Sequence, residues 1–409
     1  MGLGKNPGKV DRIVLAYSGG LDTSVAVKWL QEEYSAEIVT LTLDVGQRDA
    51  DLEAVREKAL RLGAVEAICQ DAKDEFFTHY VTPAIRANAL YEGAYPVSTA
   101  LTRPLISEHL VRAAHKFGAK AVSHGCTGKG NDQVRMDITI RSLDPDLRIV
   151  APAREWSFGR TEEIEYARKK GIPIPVRIKS PYSTDENLWG RSVECGVLEQ
   201  PDREPPADAY ALTADPRKAP DEPEYLRLGF DKGVPVRLNG KAMGGVKLVQ
   251  AVASVAGEHG VGRIDHIENR VVGLKSREIY ECPAATVILA AHSDLEKYVL
   301  TRRERAFKET ADREWTNLVY GGLWSEPLRG SLQGLCESLN GPVTGEVRVK
   351  LYKGHASVVG RSSANALYDI AMATYEKEKD IFDHASAVGF IDLWGLEARM
   401  ASRVRSRKH

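Results

Sequence analysis

Short apolar runs alternate with amphipathic segments through the first part of the chain. The runs are rich in valine and isoleucine and apolar at nearly every position, as is typical of strands buried on both faces of a sheet. Strands are predicted at residues 12–17, 37–44, 64–70, 119–124 and 147–151, and helices at residues 23–33, 50–62, 74–90, 105–117 and 161–170. This alternation predicts an α/β fold with a parallel sheet and helices on both faces. Ligands of such sheets bind beyond the carboxyl ends of the strands.

The pattern changes after residue 171. Residues 172–175, with the sequence Ile-Pro-Ile-Pro, are predicted to be extended, because proline moves its predecessor out of the helical region. Residues 201–223 are rich in Pro, Asp and Ala and are predicted to form a long ordered loop. From residue 225 onward strand and helix periods both occur, which predicts an α+β arrangement. Strands are predicted at residues 226–230, 235–238, 343–351 and 355–361, and helices at residues 246–259, 284–300, 302–320 and 327–339.

The tail, residues 389–409, has an amphipathic pattern and ends in basic residues. One helical face carries Phe390, Leu393, Leu396 and Met400. Such a helix either caps its own domain or reaches a neighbouring subunit. The chain is therefore divided into a parallel-sheet domain at residues 1–175, an α+β domain at residues 176–385 and a C-terminal helix at residues 386–409.

Composition restricts the class of protein. Of 409 residues, 43% are hydrophobic and 28% charged, as in ordinary globular proteins, and the formal net charge is −1. A near-neutral chain argues against a nucleic-acid partner or an anionic membrane surface. We see no apolar run of membrane-spanning length, no secretory signal, and no CxxC pair among the five cysteines. We therefore expect a cytoplasmic protein with free thiols.

The first motif follows the first predicted strand and opens the first predicted helix. It consists of Ala16, Tyr17, Ser18, Gly19, Gly20, Leu21, Asp22, Thr23 and Ser24. The glycines permit a tight turn with positive φ and close approach of a ligand to the backbone. The hydroxyl groups and the free N–H groups of a helix start suit an anion, so the loop predicts a phosphate site. The loop is not a Walker P-loop, and it resembles the SGGLDTS signature of the PP-loop ATP pyrophosphatases, which cleave ATP between the α and β phosphates.

The second motif, SHGCTGKGNDQVR at residues 123–135, follows the fourth predicted strand. Three glycines open the backbone, and short polar groups crowd one loop, which suits a zwitterionic amino acid beside a nucleotide. Arg135 can bind a carboxylate through its fork of donors. Asp132 can pair with an α-ammonium, and Lys129 with a phosphate or a carboxylate. A polar surface turn is the ordinary interpretation of such a loop, but the first motif in the same sheet favours a binding site.

Together, the two motifs resemble those of the argininosuccinate synthase family. Further matching segments lie at residues 46–47, 89–93, 171–175, 185–188, 260–265, 268–270 and 275–281. The resemblance implies a PP-loop nucleotide domain, similar to adenine nucleotide α-hydrolases, then an α+β synthetase domain and a C-terminal helix. It also implies an enzyme that joins citrulline to aspartate with ATP through citrullyl-AMP, releasing AMP and pyrophosphate. Mg²⁺ is expected with the ATP, and the family implies a homotetramer.

The resemblance also implies the site residues. ATP would contact residues 16–24, Leu43 and Gly125. Aspartate would contact Thr127, Asn131 and Asp132. Citrulline would contact Tyr95, Asn131, Arg135, Ser183, Ser192, Glu268 and Tyr280. The histidines show no metal-ligand spacing, so we expect no metal site other than that of the Mg²⁺ that accompanies ATP.

Two positions depart from the family pattern. Many members carry Gly-Thr-Ser where this chain has Ser98-Thr99-Ala100. The missing hydroxyl at Ala100 puts one citrulline contact in doubt, and Thr99 is the candidate substitute. Leu43 stands where a smaller alanine is often found, and a backbone contact to adenine would survive that change.

Other conspicuous residues receive structural interpretations. His124 is expected to be a structural histidine, and Cys126, where the family often has alanine, a packing residue. Trp315, Tyr320 and Trp324 are expected to pack the core of the second domain or a subunit interface. Two other functions are disfavoured. A PP-loop enzyme acting on tRNA would need catalytic cysteines and a basic face, and neither is apparent. A non-catalytic nucleotide sensor would not need the polar residues beyond residue 180, and their presence argues against it.

Overall fold

The computed structural model describes residues 10–48, 51–156, 158–173, 182–373 and 383–406. The strands of its first sheet are β1 (Arg12–Ala16), β2 (Glu37–Asp44), β3 (Glu66–Asp71), β4 (Ala121–Ser123) and β5 (Arg148–Val150). All are parallel, in the order β3-β2-β1-β4-β5. Each overlaps its predicted range, so the predicted parallel sheet is confirmed.

The two faces of this sheet are covered by separate apolar clusters. On the central strand β1, the side chains of Ile13, Val14 and Leu15 are completely buried. Ile13 and Leu15 belong to one cluster and Val14 to the other, as expected from the alternation of side chains along a strand. Because both faces are covered, a ligand can reach this sheet only at an edge or a strand end, and both sequence motifs follow strand ends.

Helices connect these strands. They are α1 (Leu21–Tyr34), α2 (Leu52–Arg61), α3 (Lys73–Phe76), α4 (Thr82–Arg86), α5 (Ser98–Phe117), α6 (Asn131–Leu143), α7 (Pro152–Glu155) and α8 (Arg160–Lys169). A π-helical turn, Phe77–Val81, joins α3 to α4, so the helix predicted at residues 74–90 has three pieces and ends at Arg86. Helix α5 starts before the predicted residue 105 and carries Pro104 inside it. Helix α6 was not predicted, and it makes the end of the second motif helical.

The remaining strands form two antiparallel sheets. They are β6 (Ser183–Asn187), β7 (Gly190–Glu194), β8 (Glu224–Asp231), β9 (Val234–Leu238), β10 (Lys241–Ala242), β11 (Arg263–Asn269), β12 (Lys275–Glu281), β13 (Gly345–Tyr352) and β14 (His355–Ser362). One sheet has the order β11-β12-β7-β6 and the other β10-β9-β8-β13-β14. The predicted β8–β9 pair and β13–β14 hairpin are present in the second of these sheets. The four strands of the first were not predicted, because sequences such as STDEN in β6 carry few apolar residues.

Four helices accompany these sheets, all within one residue of their predicted bounds. They are α9 (Gly245–Glu258), α10 (Pro283–Val299), α11 (Arg302–Tyr320) and α12 (Pro327–Leu339). A buried ion cluster joins α10 to α11: the Lys308 ammonium lies 2.7 Å from Asp312 Oδ1 and 2.9 Å from Glu296 Oε1. Because the cluster lies between the two helices, their packing depends on the Lys308 cation that neutralises the two carboxylates.

The chain divides into two compact units, Met1–Asn365 and Ala366–His409. The second unit contains α13 (Ile370–Ala373), α14 (Ser386–Trp394) and α15 (Leu396–Ser406). The predicted single tail helix is therefore two helices that meet at Gly395, and residues 407–409 lie outside the described residues. Residues 174–175 of the predicted Ile-Pro-Ile-Pro segment also lie outside them. In the part of the chain that the structure describes, no helix is long and apolar enough to cross a membrane.

Candidate active site

The first motif forms a turn between β1 and α1. Gly19 has φ +75°, where a side chain would be strained, whereas Gly20 has φ −68°, so one of the two glycines uses the left-handed region. The Ser18 hydroxyl accepts a hydrogen bond from the Gly20 N–H at 3.3 Å and lies 3.1 Å from Thr23 Oγ1. Helix α1 begins without a side-chain cap. Its first N–H groups are therefore available to an anion beside the exposed Asp22.

Part of the motif is structural. The Ser24 hydroxyl is fully buried, donates to the Gly20 carbonyl at 2.6 Å and lies 3.1 Å from the phenol of Tyr17, which is also buried. The Lys58 ammonium, from α2, donates to the Gly19 carbonyl at 2.6 Å, and burial lowers its pKa. Lys58 thus brings a cation to the loop that the motif did not reveal, because it lies far along the sequence on a charged helix.

The two motifs lie side by side. A Cβ built on Gly125 would be 3.4 Å from Thr23 Cγ2, which is ordinary van der Waals contact between the loop after β4 and the start of α1. Leu43 lies near the end of β2 and is buried, and its carbonyl accepts a hydrogen bond from Gln47 Nε2 at 3.1 Å. The residues expected to contact ATP therefore lie at or just beyond the carboxyl ends of three adjacent strands of the sheet, β2, β1 and β4.

An ion cluster stands at the start of α6. Asp132 lies 2.9 Å from Arg135 Nη1 and 2.8 Å from Arg103 Nη2, and Arg103 also binds Asp185 of β6. Burial alone would raise the pKa of Asp132, but the guanidinium groups of Arg103 and Arg135 outweigh it and lower the pKa to about 2. Asp132 is therefore a carboxylate at neutral pH. Neither Arg103 nor Asp185 was expected as a site residue, although Asp185 lies in the matching segment at residues 185–188.

Arg135 keeps one donor free. Its side chain is nearly inaccessible to solvent, its Nε donates to the Tyr320 carbonyl at 3.0 Å, and its guanidinium lies 4.8 Å from the centre of the Tyr320 ring. The buried Nη2 has no hydrogen-bond partner among the described residues. An unsatisfied buried guanidinium nitrogen is costly, and a carboxylate is the group whose two oxygens suit it.

The buried carboxylate of Glu268 lies against Tyr320, which packs on Arg135. Glu268, on β11, accepts a hydrogen bond from the Tyr280 phenol at 2.5 Å and another from the Tyr320 phenol at 2.5 Å. Burial and then the nearby negative charge raise the pKa of both phenols, so both remain donors. Asn131 Nδ2 donates to the Tyr320 hydroxyl at 2.8 Å. Tyr320 was expected to pack a core or an interface; it is buried, but it contacts three expected ligand residues.

The remaining expected citrulline contacts lie around α5 and β7. The buried Tyr95 ring stacks on that of Tyr280 with centres 3.9 Å apart, and its hydroxyl accepts from the Thr99 N–H at 2.8 Å. The Thr99 hydroxyl lies 3.2 Å from that of Ser192. Thr99, and not Ala100, thus presents a hydroxyl to this group. Ser183 is exposed at the start of β6, on the same face as Asp185.

Other residues of the second motif have structural partners. His124 is buried, with Nε2 2.7 Å from Asp137 Oδ1 and Nδ1 accepting from the Cys126 N–H at 3.2 Å. This geometry agrees with a structural histidine. The Lys129 carbonyl accepts from Arg270 Nη1 at 3.3 Å, which ties the loop to the β11–β12 hairpin. The exposed Thr127 lies in the same loop.

A cavity of about 790 Å³ lies next to this region, beyond the ends of β2 and β3. Four of its charged lining side chains form ion pairs, Lys73 with Asp44 and Arg48 with Glu186. A fifth, Glu258, accepts a hydrogen bond from the Ser254 hydroxyl at 3.3 Å. The described residues that line it include none of the expected citrulline or aspartate contacts. The unpaired donor of Arg135 and the polar groups around it therefore mark the candidate site better than the volume of this cavity does.

Comparison with known proteins finds one family over both parts of the chain. The family model for the arginosuccinate synthase N-terminal HUP domain matches residues 12–173, and that for the arginosuccinate synthase C-terminal domain matches residues 182–401. The argininosuccinate synthase of Oceanobacillus iheyensis is 56% identical over 394 residues, which covers 96% of this chain and 94% of the relative. That of Synechococcus elongatus is 54% identical over 397 residues, which covers 97% and 99%.

A solved complex of a 4-thiouridine synthetase with RNA and bound ATP is 19% identical and covers 40% of this chain and 41% of that chain. Its TM-score of 0.30 is too low to bear on fold or function. The two family domains and the relatives, in contrast, extend over nearly the whole sequence. The chain belongs to the argininosuccinate synthase family.

Proposed function

We propose that the chain catalyses the ATP-dependent ligation of L-citrulline and L-aspartate to argininosuccinate, with release of AMP and pyrophosphate, as a step of arginine biosynthesis. The observation that carries this conclusion is the similarity across both halves of the chain. An enzyme sharing only the nucleotide sheet would match only the first half. For that reason a PP-loop enzyme acting on tRNA is not favoured.

The reaction has two displacements. The ureido oxygen of citrulline attacks the α-phosphorus of ATP, the bond to the bridging oxygen breaks, and pyrophosphate leaves from citrullyl-AMP. The aspartate amine then attacks the activated ureido carbon, loses a proton, and displaces AMP, which keeps the former ureido oxygen. Neither step needs a nucleophilic side chain, so catalysis rests on alignment of the reactants and stabilisation of the charge that develops on the leaving groups.

We assign ATP to the two neighbouring loops. The uncapped start of α1 and the Ser18 and Thr23 hydroxyls would hold the pyrophosphate end. Leu43, through its backbone, and Gly125 would border the rest of the nucleotide. Ala16, Tyr17 and Ser24 belong to the expected ATP contacts, but the burial of Tyr17 and Ser24 supports a role of these two residues in shaping the loop.

We assign the amino acids to the polar cluster beside α6. Arg135 would bind the citrulline α-carboxylate through the free Nη2, and Glu268 would accept from an ammonium or ureido N–H. The other citrulline contacts would be Tyr95, Asn131, Ser183, Ser192 and Tyr280, joined by Thr99 in place of Ala100. Aspartate would lie against Thr127, Asn131 and Asp132, whose charge suits its ammonium.

Mg²⁺ is proposed to accompany ATP. Such a cation keeps several waters and takes one or two carboxylates together with substrate phosphates. Asp22, exposed beside the phosphate loop, fits that donor set. When bound, the cation would neutralise the leaving pyrophosphate. The chain's own loop would still have to orient the phosphates for in-line displacement.

The domain division at residues 175 and 385, a homotetrameric assembly and a cytoplasmic location are also proposed. Support for assembly comes from α14 and α15, whose large apolar side chains are exposed, Leu393 by 76% and Trp394 by 69%. Light scattering after gel filtration tests the tetramer. A monomer at micromolar concentration would contradict it.

Pyrophosphate release tests the function. ATP and Mg²⁺ are supplied with citrulline and aspartate singly and together, and sustained release with AMP and argininosuccinate is expected only with both amino acids. Ser18→Ala and Asp22→Ala should abolish the release while the melting temperature is kept. If no pyrophosphate is released when both amino acids are present, the proposed function is wrong. Normal turnover in both variants would contradict the assignment of the loop.

A further inference from the structure

Tyr320 ends helix α11, more than 180 residues after the second motif, yet it packs directly on α6. The approach is close because Gly322, two residues later, has φ +79°, and a Cβ there would lie 2.8 Å from the Arg135 Cα. The Tyr320 side chain is 2% exposed. The end of α11 is therefore fixed against the first turns of α6.

The Tyr320 hydroxyl joins two side chains from different parts of the chain. It donates to Glu268 Oε1 at 2.5 Å and accepts from Asn131 Nδ2 at 2.8 Å. The Asn131 amide is oriented in turn by the Val271 N–H, which donates to Asn131 Oδ1 at 2.9 Å. These bonds form one directed chain from amide to phenol to carboxylate, in which each bond strengthens the next.

The ring and the carbonyl of Tyr320 make further contacts. The ring stacks on Tyr91 with centres 3.4 Å apart, and the Arg135 guanidinium lies over it at 4.8 Å. The carbonyl accepts from Arg135 Nε. Because Nη1 bonds to Asp132, two of the three guanidinium nitrogens have partners, and Nη2 has none in the part of the chain that the structure describes. Tyr320 thus constrains the direction in which the arginine presents its free donor.

We infer that Tyr320 is a positioning residue that couples the citrulline and aspartate subsites. Glu268 and Arg135 are assigned to citrulline and Asn131 to both amino acids, and Tyr320 contacts all three. Tyr280 shares Glu268 with it, but its hydroxyl bonds only to that carboxylate among the contacts described above. The inference rests on the proposed function, because it is the ligation that defines the two subsites.

The test compares three hydroxyl deletions that keep the ring. Tyr320→Phe should raise KM for citrulline and KM for aspartate about tenfold each and leave KM for ATP within twofold. Tyr280→Phe should raise KM for citrulline without changing KM for aspartate. Tyr91→Phe is the matched control, because its hydroxyl donates to the Asn269 carbonyl at 2.8 Å and touches neither subsite, and all three KM values should be unchanged.

The outcomes separate the possibilities. If Tyr320→Phe raises KM for citrulline alone, coupling is wrong. If it lowers the melting temperature and changes the KM values of all three substrates equally, the residue is only structural and the inference is overturned. If wild-type protein forms no argininosuccinate, the proposed function fails before the variants are compared. Selective loss for both amino acids at an unchanged melting temperature supports the inference.

Discussion

Arg135→Ala gives the most direct test of the site. The substitution removes the buried Nη2 that lacks a partner among the described residues, together with bonds to Asp132 and the Tyr320 carbonyl. A net hydrogen bond to a charged group is worth about 1.5–3 kcal/mol. At about 1.4 kcal/mol per factor of ten, loss of the carboxylate contact should raise KM for citrulline roughly 10- to 150-fold. Asp132 keeps Arg103 at 2.8 Å, so it should stay charged.

The assay is exchange of labelled pyrophosphate into ATP with citrulline present and aspartate omitted, since it reports the first displacement alone. Arg141→Ala is the matched control, because Arg141 is exposed on the same helix, α6. An unchanged KM for citrulline in Arg135→Ala at an intact melting temperature would remove Arg135 from the substrate contacts. An equal rise in KM for ATP would show that the loop has been disordered instead.

Three further predictions concern packing, buried charge and the thiol. Gly322→Ala should lower the melting temperature more than Gly273→Ala. Both glycines have positive φ, but an added Cβ would meet the α6 backbone at Gly322 and would meet nothing within 4 Å at Gly273. Equal losses would contradict the close approach of Gly322 to α6. Lys308→Met should lower the free energy of unfolding in urea by about 3–5 kcal/mol, because two buried carboxylates lose their cation. Lys297→Met, at an exposed position, should change it by less than about 0.5 kcal/mol. Similar changes in the free energy of unfolding for both variants would refute the stabilising role of the cluster. Cys126→Ala should leave kcat and all KM values unchanged, since the hydrogen bond from the backbone N–H of residue 126 to His124 survives the substitution; lost activity would place the thiol in the site.

The nucleotide sheet was predictable because its strands are buried on both faces. Apolar residues then fill consecutive positions, and glycine-rich turns mark the strand ends, as at Gly19. The β11-β12-β7-β6 sheet gave no such signal. Its strands carry the polar groups assigned to citrulline, such as Ser192, Glu268 and Tyr280. These polar residues interrupt the apolar pattern from which a strand is predicted.

The same reasoning explains the residues that were missed. Tyr320 lies in an amphipathic helix, where a buried aromatic residue predicts core packing, and only the fold reveals that its hydroxyl meets Glu268. Arg103 lies on α5, whose first turns were not predicted, and Lys58 lies on a charged helix where one lysine does not stand out. Each acts through a contact between residues distant in sequence, which periodicity cannot supply.

The joining of α6 to the end of α11 has a consequence for synthesis on the ribosome. Domains fold as units, N-terminal parts first, so the sheet that carries the phosphate loop can form while later segments are still being translated. The site proposed for the amino acids must wait for Tyr320 and Gly322, which pack against Arg135. A nascent chain can therefore form the loop proposed to hold ATP early, while the site proposed for the amino acids is completed only after most of the polypeptide has emerged.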